Sequence, residues 1–244
     1  MTKADICRRG TAAALLLLAS RGTAQGGPPY VTDDAEPAPY GHVEVYLFSE
    51  GAVASGHFGE MESGIEINVG ALPNLQVSAA LPLVHNGDVQ PALGEPNLGA
   101  KFRFVQEDAD GIRPQIAFYP QVDFAIGADA HEGTHTLLPL WLQKSIGDWT
   151  AFGGGGYRIN AGPNLINSWM GGAALTRALS ENFTMGVEIY GETADSRGED
   201  GIIGLGLGAT RDLNENFSIL ASAGPVFHGR DTDNAYFIAL GWHR

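Results

Sequence analysis

The chain is poor in four things. It has one cysteine, Cys7, among 244 residues. That residue falls in an N-terminal stretch that reads as a leader, so no disulfide framework is available to the remainder. Past that stretch, no segment approaches the roughly 18 apolar residues that a membrane-spanning helix needs. Basic residues are scarce: residues 25–244 hold 10 Lys and Arg against 27 Asp and Glu, a formal net charge of −17. Such a surface repels phosphate backbones and argues against nucleic-acid binding. Helical periodicity is missing too, since no span repeats its apolar residues every three to four positions.

Residues 1–24 carry the marks of a signal peptide. Lys3, Arg8 and Arg9 form a basic start, Thr11–Ser20 an apolar stretch, and Gly22-Thr23-Ala24 a small-residue cleavage site. The expected organisation is therefore a leader over 1–24, an N-terminal periplasmic segment over 25–40, and one large β domain over 41–244.

What the chain has in quantity is alternation. Ile203, Leu205, Leu207 and Ala209 alternate with Gly204, Gly206, Gly208 and Thr210; Ile65, Ile67 and Val69 alternate with Glu66, Asn68 and Gly70. A period of two sends one set to each face of a strand. Twelve such strands are predicted, at 41–49, 58–71, 74–84, 96–106, 113–125, 135–145, 149–160, 166–178, 182–192, 200–211, 215–227 and 234–243. Their connections alternate in kind. Leu72-Pro73-Asn74, Ile146-Gly147-Asp148, 179–182 and 212–216 are tight, and 106–112 is somewhat longer. The intervening connections, 50–57, 85–95, 126–134, 161–165, 193–199 and 228–234, are longer and polar. Short turns on one rim and longer loops on the other describe an outer-membrane barrel. A soluble sandwich would share the alternation but not this asymmetry. The expected fold is all-β, an antiparallel up-and-down transmembrane β-barrel of about twelve strands. Trp149, Tyr157, Trp169, Tyr236 and Trp242 fall near strand ends, where an aromatic girdle would sit.

If the apolar parity faces lipid, the other parity lines a lumen. The candidate lumen residues are Glu44, Glu62, Glu66, Lys101, Arg103, Arg113, Tyr119, Gln121, Asp123, Arg158 and Glu188, with His42, Tyr46, Glu60, Asn68 and Gln115 on the same faces. Val43, Val45, Leu47, Leu98, Phe102, Phe104, Ile116, Phe118 and Val122 take the opposite parity. A Lys or Arg facing mid-bilayer would cost roughly 2–4 kcal/mol, so a barrel requires this partition. The inward charges either pair across the interior as structural braces or line a polar conduit. Eight-stranded barrels fill with side chains and 16-stranded ones leave a channel, so about twelve strands predict a narrow or plugged pore. Inward glycines at 154, 156, 204, 206 and 208 leave room, or let something pack closely against the wall.

Three motifs invite other readings. His131-Glu132-Gly133-Thr134-His135 matches the H-E-x-x-H zinc pattern, which works only on a helix. Gly133 within it and a strand after it oppose a helix, and Trp141 stands where a third histidine would be. A loop is the expectation, with metal binding by His131 and His135 left open. Gly153–Gly156 lacks the Lys-Ser/Thr of a phosphate loop, and Gly204-x-Gly206-x-Gly208 has strand spacing. A membrane-embedded lipid hydrolase would need a serine beside His42, His57, His85 or His228, and no serine sits in a nucleophile-elbow pattern.

Pro28-Pro29-Tyr30-Val31-Thr32-Asp33-Asp34-Ala35-Glu36-Pro37, followed by Tyr40-Gly41-His42-Val43-Glu44, resembles the start of an outer-membrane transporter-like barrel family named after the MetA pathway of phenol degradation. The block from Leu138 to Trp149, with Gly153–Gly156 and Tyr157, is similar to that family's central strands. Leu72-Pro73-Asn74-Leu75 and Gly99-Ala100-Lys101-Phe102-Arg103-Phe104 fit as well. The resemblance implies a bacterial outer-membrane barrel passing small compounds, hydrophobic or aromatic ones among them, and supplies no catalytic motif. The resulting expectation is a passive channel or transporter, not an enzyme and without a cofactor. Its partners would be outer-membrane lipid, a small-molecule solute and the outer-membrane assembly machinery. A lipid hydrolase, or a structural or surface-interaction barrel with a sealed lumen, is the alternative.

Overall fold

The computed structural model describes residues 29–54, 57–85, 90–125, 133–162 and 164–244. Its strands are β1 (Val43–Ala54), β2 (His57–Leu72), β3 (Leu75–His85), β4 (Ala92–Leu93), β5 (Asn97–Val105), β6 (Gln115–Phe118) and β7 (Gln121–Phe124). Then follow β8 (Thr134–Ile146), β9 (Trp149–Ile159), β10 (Ser168–Ser180), β11 (Phe183–Glu192), β12 (Ile202–Asp212), β13 (Phe217–His228) and β14 (Asp231–His243). Each wall strand pairs antiparallel with its sequence neighbours, and β14 returns to β1 with Val45 opposite Trp242 and Leu47 opposite Leu240. The protein is a closed twelve-stranded β-barrel with two extra short strands.

Those extras have local causes. Pro120 has no N–H to give a ladder. The wall strand expected over 113–125 is accordingly interrupted at Tyr119-Pro120 into β6 and β7, both of which lie between β5 and β8. β4 is a two-residue return of the 86–96 connection onto Leu83 and Val84.

Two expected loops are largely strand. β1 and β2 extend past Glu50 to Ala54 and His57, with a register shift between Gly51 and Val53. β13 and β14 run to a two-residue turn at Gly229-Arg230, where Gly229 takes φ +57°. The rim asymmetry is therefore weaker than the sequence suggests, although 160–167 and 193–201 remain longer than the turns at 73–74, 147–148 and 181–182. Asn74 at φ 65° and Gly147 at φ 57° make two of those tight turns. The rim holding them, and the ends Gly41 and Arg244, is called the turn rim below; the opposite one is the loop rim.

Alternation decides which side chains go where. On β3, Gln76, Ser78 and Ala80 are buried while Val77, Leu81 and Leu83 are exposed. The same holds round the wall: Leu47, Leu98, Phe102, Leu140, Leu175, Val187, Ile189, Leu205, Leu207, Ile238 and Leu240 all stand on the outer face. A belt this continuous far exceeds the few hundred Å² of apolar patch that a water-soluble monomer exposes. The outward basic residues on the described strands are Lys144, Arg177 and Arg211, near the turn rim. Arg177 lies over the Trp149 ring at 5.2 Å, and Trp169 packs against Tyr157 near the loop rim with centroids 4.9 Å apart. The wall thus carries apolar side chains through its middle and aromatics at both ends, which is the distribution a bilayer demands.

No helix among the described residues is long and apolar enough to cross a membrane, a fact without bearing on strands.

Candidate functional site

The expected periplasmic segment is where sequence and structure part most. Of residues 25–40, the described portion from Pro29 to Pro39 runs inside the barrel. It passes the turn rim at Gly41, whose N–H bonds the Gly70 carbonyl at 2.8 Å. Tyr30, Thr32, Asp33, Ala35 and Ala38 are all buried.

The segment has no secondary structure of its own, so its backbone groups must find partners on the wall. Glu188 on β11 accepts the N–H groups of Val31 and Thr32 at 3.2 and 3.1 Å. Gln76 on β3 accepts that of Ala38 at 2.8 Å, and the Tyr30 hydroxyl donates to the Gly208 carbonyl at 3.0 Å. Glycines make the space: a Cβ on Gly208 would lie 2.5 Å from the Tyr30 ring, and one on Gly172 would lie 2.1 Å from Thr32 Oγ1. Ala35 packs with Ala117, Tyr119 and Trp141, and Tyr30 with Phe152 and Ala174.

Charge fixes the middle of the segment. Lys101 on β5 is fully buried, with Nζ 3.0 Å from Asp33, 3.2 Å from Asp34 and 5.1 Å from the Tyr119 ring centroid. Arg103, two residues on and on the same face, reaches Glu36 at 2.6 Å, and Gln115 donates to the other Glu36 oxygen at 2.7 Å. Burial pushes the Asp33 carboxyl up to about 6, with Lys101 opposing and Asp34 adding to the rise.

The eleven candidate lumen residues divide into groups. Lys101, Arg103 and Glu188 touch the N-terminal segment directly. Glu66 reaches it through a relay, accepting from Asn68, which accepts from Gln76. Tyr119 is buried beneath Lys101 and bonded to Ser78 at 2.7 Å, Gln121 is buried beside it on the chain, and Glu44 accepts from the Tyr46 hydroxyl at 3.1 Å. Asp123 and Arg158 form a separate cluster nearer the loop rim, 3.7 Å apart, with Glu192 3.6 Å from Arg158 Nε. Glu62 lines the cavity described below. Arg113 does not belong with the others. It precedes β6 in the turn, and its exposed guanidinium pairs with Asp108 and the Gln106 carbonyl, because the wall strand starts two residues later than expected.

Sequence reasoning missed Asp33, Asp34, Glu36, Glu50 and Glu192. Glu192 has the same parity as Glu188 and was findable on that ground. The signal for the first three was a run of acids facing two inward bases, Lys101 and Arg103, that no neighbouring strand neutralises.

Past Pro29 and Val31, on the loop side, a cavity of about 150 Å³ remains. Its walls are largely apolar, with Met61, Met170, Tyr190, Ile202, Val226 and Phe237, and its charged groups are Glu50, Glu62, Glu188, Arg158 and Glu192. Arg158 is buried, yet its Nε has no hydrogen-bond partner. The interior is thus packed shut on the turn side and hollow on the loop side.

His131 lies outside the described residues. His135, the second residue of β8, is buried, contacting Asn160 at 3.1 Å and Glu95 at 3.7 Å. Among the described residues no group of three or more His, Cys, Asp or Glu could hold a metal ion. One serine does meet a histidine, Ser63 Oγ to His85 Nε2 at 2.7 Å. No carboxylate or amide among the described residues bonds the other ring nitrogen, and both residues sit on regular strands, which offer no oxyanion pocket.

Solved barrels share this architecture. An outer membrane channel from Pseudomonas putida F1 matches with a TM-score of 0.64 at 12% identity, over 86% of this chain and 97% of that one. The KdgM porin matches at 0.60 and 9% identity, over 82% and 98%. The NanC porin matches at 0.60 and 11% identity, over 81% and 98%. At such identities the likeness is one of fold. No family model matches the chain, and no curated protein does.

Proposed function

We propose that this protein is a passive channel of the bacterial outer membrane, admitting small, largely apolar solutes from the loop rim into a cavity that residues 29–39 close from the turn rim. The carrying observation is the pairing of a closed wall, apolar on the outside all the way round, with a hollow loop-side interior. The outer membrane as location draws support from the fold shared with outer-membrane barrels and from the leader-like residues 1–24. Passive passage needs no chemical step.

The cavity's chemistry speaks for the solute class. A KdgM porin is known in complex with oligogalacturonate, a polyanion. Here Glu50, Glu62, Glu188 and Glu192 share the cavity with a single Arg158, an excess of acid that opposes such a ligand. Apolar walls with a few polar groups suit a small hydrophobic or aromatic compound instead. The tight packing on the turn side favours a second reading, a structural barrel with a sealed lumen.

The two separate in vesicles whose outer leaflet is lipopolysaccharide. Uptake of N-phenyl-1-naphthylamine, a dye that brightens in hydrocarbon, is followed with and without the protein, alongside planar-bilayer recording. A channel accelerates dye uptake severalfold. Neither uptake nor conductance, in the whole protein and in Lys101→Met alike, would leave the sealed barrel.

A further inference from the structure

The loop-side cavity carries its charge unevenly. Glu50 on β1 and Glu62 on β2 stand directly opposite one another in the ladder, and both line the cavity. Like charges in register repel, and taking them out of water without a counter-ion adds to the cost. The register offers Glu50 no base, since its other neighbour, on β14, is Phe237. The inward bases Lys101 and Arg103 are engaged with Asp33, Asp34 and Glu36. The other two cavity acids are provided for: Glu188 accepts the Val31 and Thr32 N–H groups, and Glu192 accepts from the Ser168 hydroxyl at 2.9 Å.

Arg158 stands on the far side. From β1 the wall reaches β9 through β2, β3, β5, β6 with β7, and β8, or through β14, β13, β12, β11 and β10. The two routes are equally long, so Arg158 faces Glu50 across the lumen. It lines the same cavity and is only 5% exposed, yet its Nε donates to nothing. Asp123 and Glu192, at 3.7 and 3.6 Å, already balance its charge. What it has left to offer is a proton for a neutral acceptor, not a site for an anion. Between the two poles the walls are apolar and aromatic. Phe237 lies beside Glu50 and is stacked on Phe48, with centroids 6.4 Å apart. A ring face next to two carboxylates attracts an ammonium twice over, by its quadrupole and by their charge. A bare metal ion would find too few oxygen ligands on such walls.

We propose that the cavity is a binding site for a small protonated aryl-alkyl amine, with its ammonium at Glu50 and Glu62, its ring against the apolar walls, and a neutral oxygen at its other end accepting from Arg158. The inference rests on the channel reading above and names the solute which that channel takes in. Size agrees with it. A cavity of about 150 Å³ is large enough to take up benzene, so a single ring with a short side chain fits. An anion of the same shape meets an excess of acid, and a neutral analogue leaves the carboxylate pair without a counter-ion.

Tyramine tests this, because it carries an ammonium at one end of a ring and a hydroxyl at the other. Its binding to the refolded protein is measured by equilibrium dialysis at neutral pH, after heat-modifiable mobility has shown each protein to be folded. Tyramine should bind at least about tenfold more tightly than 4-ethylphenol, which lacks the ammonium, as the loss of a charge-assisted hydrogen bond requires. The anion 3-(4-hydroxyphenyl)propanoate should not compete. Glu50→Gln, and separately Glu62→Gln, should weaken tyramine about tenfold or more and leave 4-ethylphenol unchanged. Phenethylamine, which lacks the hydroxyl, should bind severalfold more weakly than tyramine; equal binding of the two would remove Arg158 from the site. Tyramine held no better than 4-ethylphenol, or equally by the parent and both glutamine variants, would overturn the amine site, as would follow if the two carboxylates share a proton. Dye uptake in lipopolysaccharide vesicles would then still stand for the channel. Neither dye uptake nor conductance in any of these proteins would remove the channel reading, and this inference with it.

Discussion

Replacing Lys101 with methionine should loosen residues 29–39 from the barrel interior. Lys101 is fully buried and is the cation that faces both Asp33 and Asp34, at 3.0 and 3.2 Å. Methionine keeps most of the volume and removes the charge, which leaves two carboxylates in a site built around a counter-ion. Breaking a buried pair in this way costs about 3–5 kcal/mol. At 1.4 kcal/mol per tenfold, the docking equilibrium moves by a factor on the order of a hundred to several thousand. The readout is a cysteine at position 32. Thr32 is buried and its hydroxyl has no partner, so Thr32→Cys disturbs little. A membrane-impermeant maleimide should label this cysteine slowly in the parent and at least a hundredfold faster beside Lys101→Met, by about the factor just given. Adding Asp33→Asn and Asp34→Asn should restore protection, because no uncompensated charge is then buried. Equal labelling in the parent and Lys101→Met proteins, or no recovery in the triple change, would refute the electrostatic anchor.

Other perturbations probe separate parts of the structure. Gly208→Ala places a Cβ 2.5 Å from the Tyr30 ring and should raise labelling at position 32 without lowering the yield of folded barrel; unchanged labelling would show the ring is not held against the wall. Leu207→Lys puts a charge on the lipid face and should cost about 2–4 kcal/mol, read as a lower urea midpoint in lipid vesicles; an unmoved midpoint would place that face away from hydrocarbon. Docking should also depend on pH. Asp33 titrates at about 6 when docked, above its ordinary 3.8, so the docked state holds the extra proton between those values. Docking is then firmest below about pH 4 and weakens as pH rises to about 6, with no further change from this group beyond. Labelling at position 32, corrected for thiolate content, should increase from pH 4 to 6.5; a decrease would reverse the sign and the assigned cause.

The wall was legible in the sequence because its physics is local. A period of two needs only neighbours, and Leu98, Phe102 and Phe104 declare one face as plainly as Lys101 and Arg103 declare the other. The breaks were less legible. Pro120 could have warned of the gap between β6 and β7, yet a proline also sits inside β8 as Pro139 without dividing it. Glu50 to His57 looked like loop because it is polar and glycine-bearing, and pairing across the rim extended the strands through most of it. The N-terminal segment was least legible. Residues 29–39 have no periodicity, and their place is set by contacts 38 or more positions away in the chain, such as Ala38 with Gln76 and Thr32 with Glu188. The glycines at 172 and 208 marked the space in advance, although nothing local named its occupant.

That residues 29–39 alone close a solute-accessible cavity from the turn rim is tested most directly by single-channel recording. The whole chain is compared with a protein lacking those residues, both first shown to be folded by heat-modifiable mobility. The shortened protein should conduct in long, steady openings, and the whole chain in brief, small ones. Equal conductance in the two, or none in either, would contradict the closure.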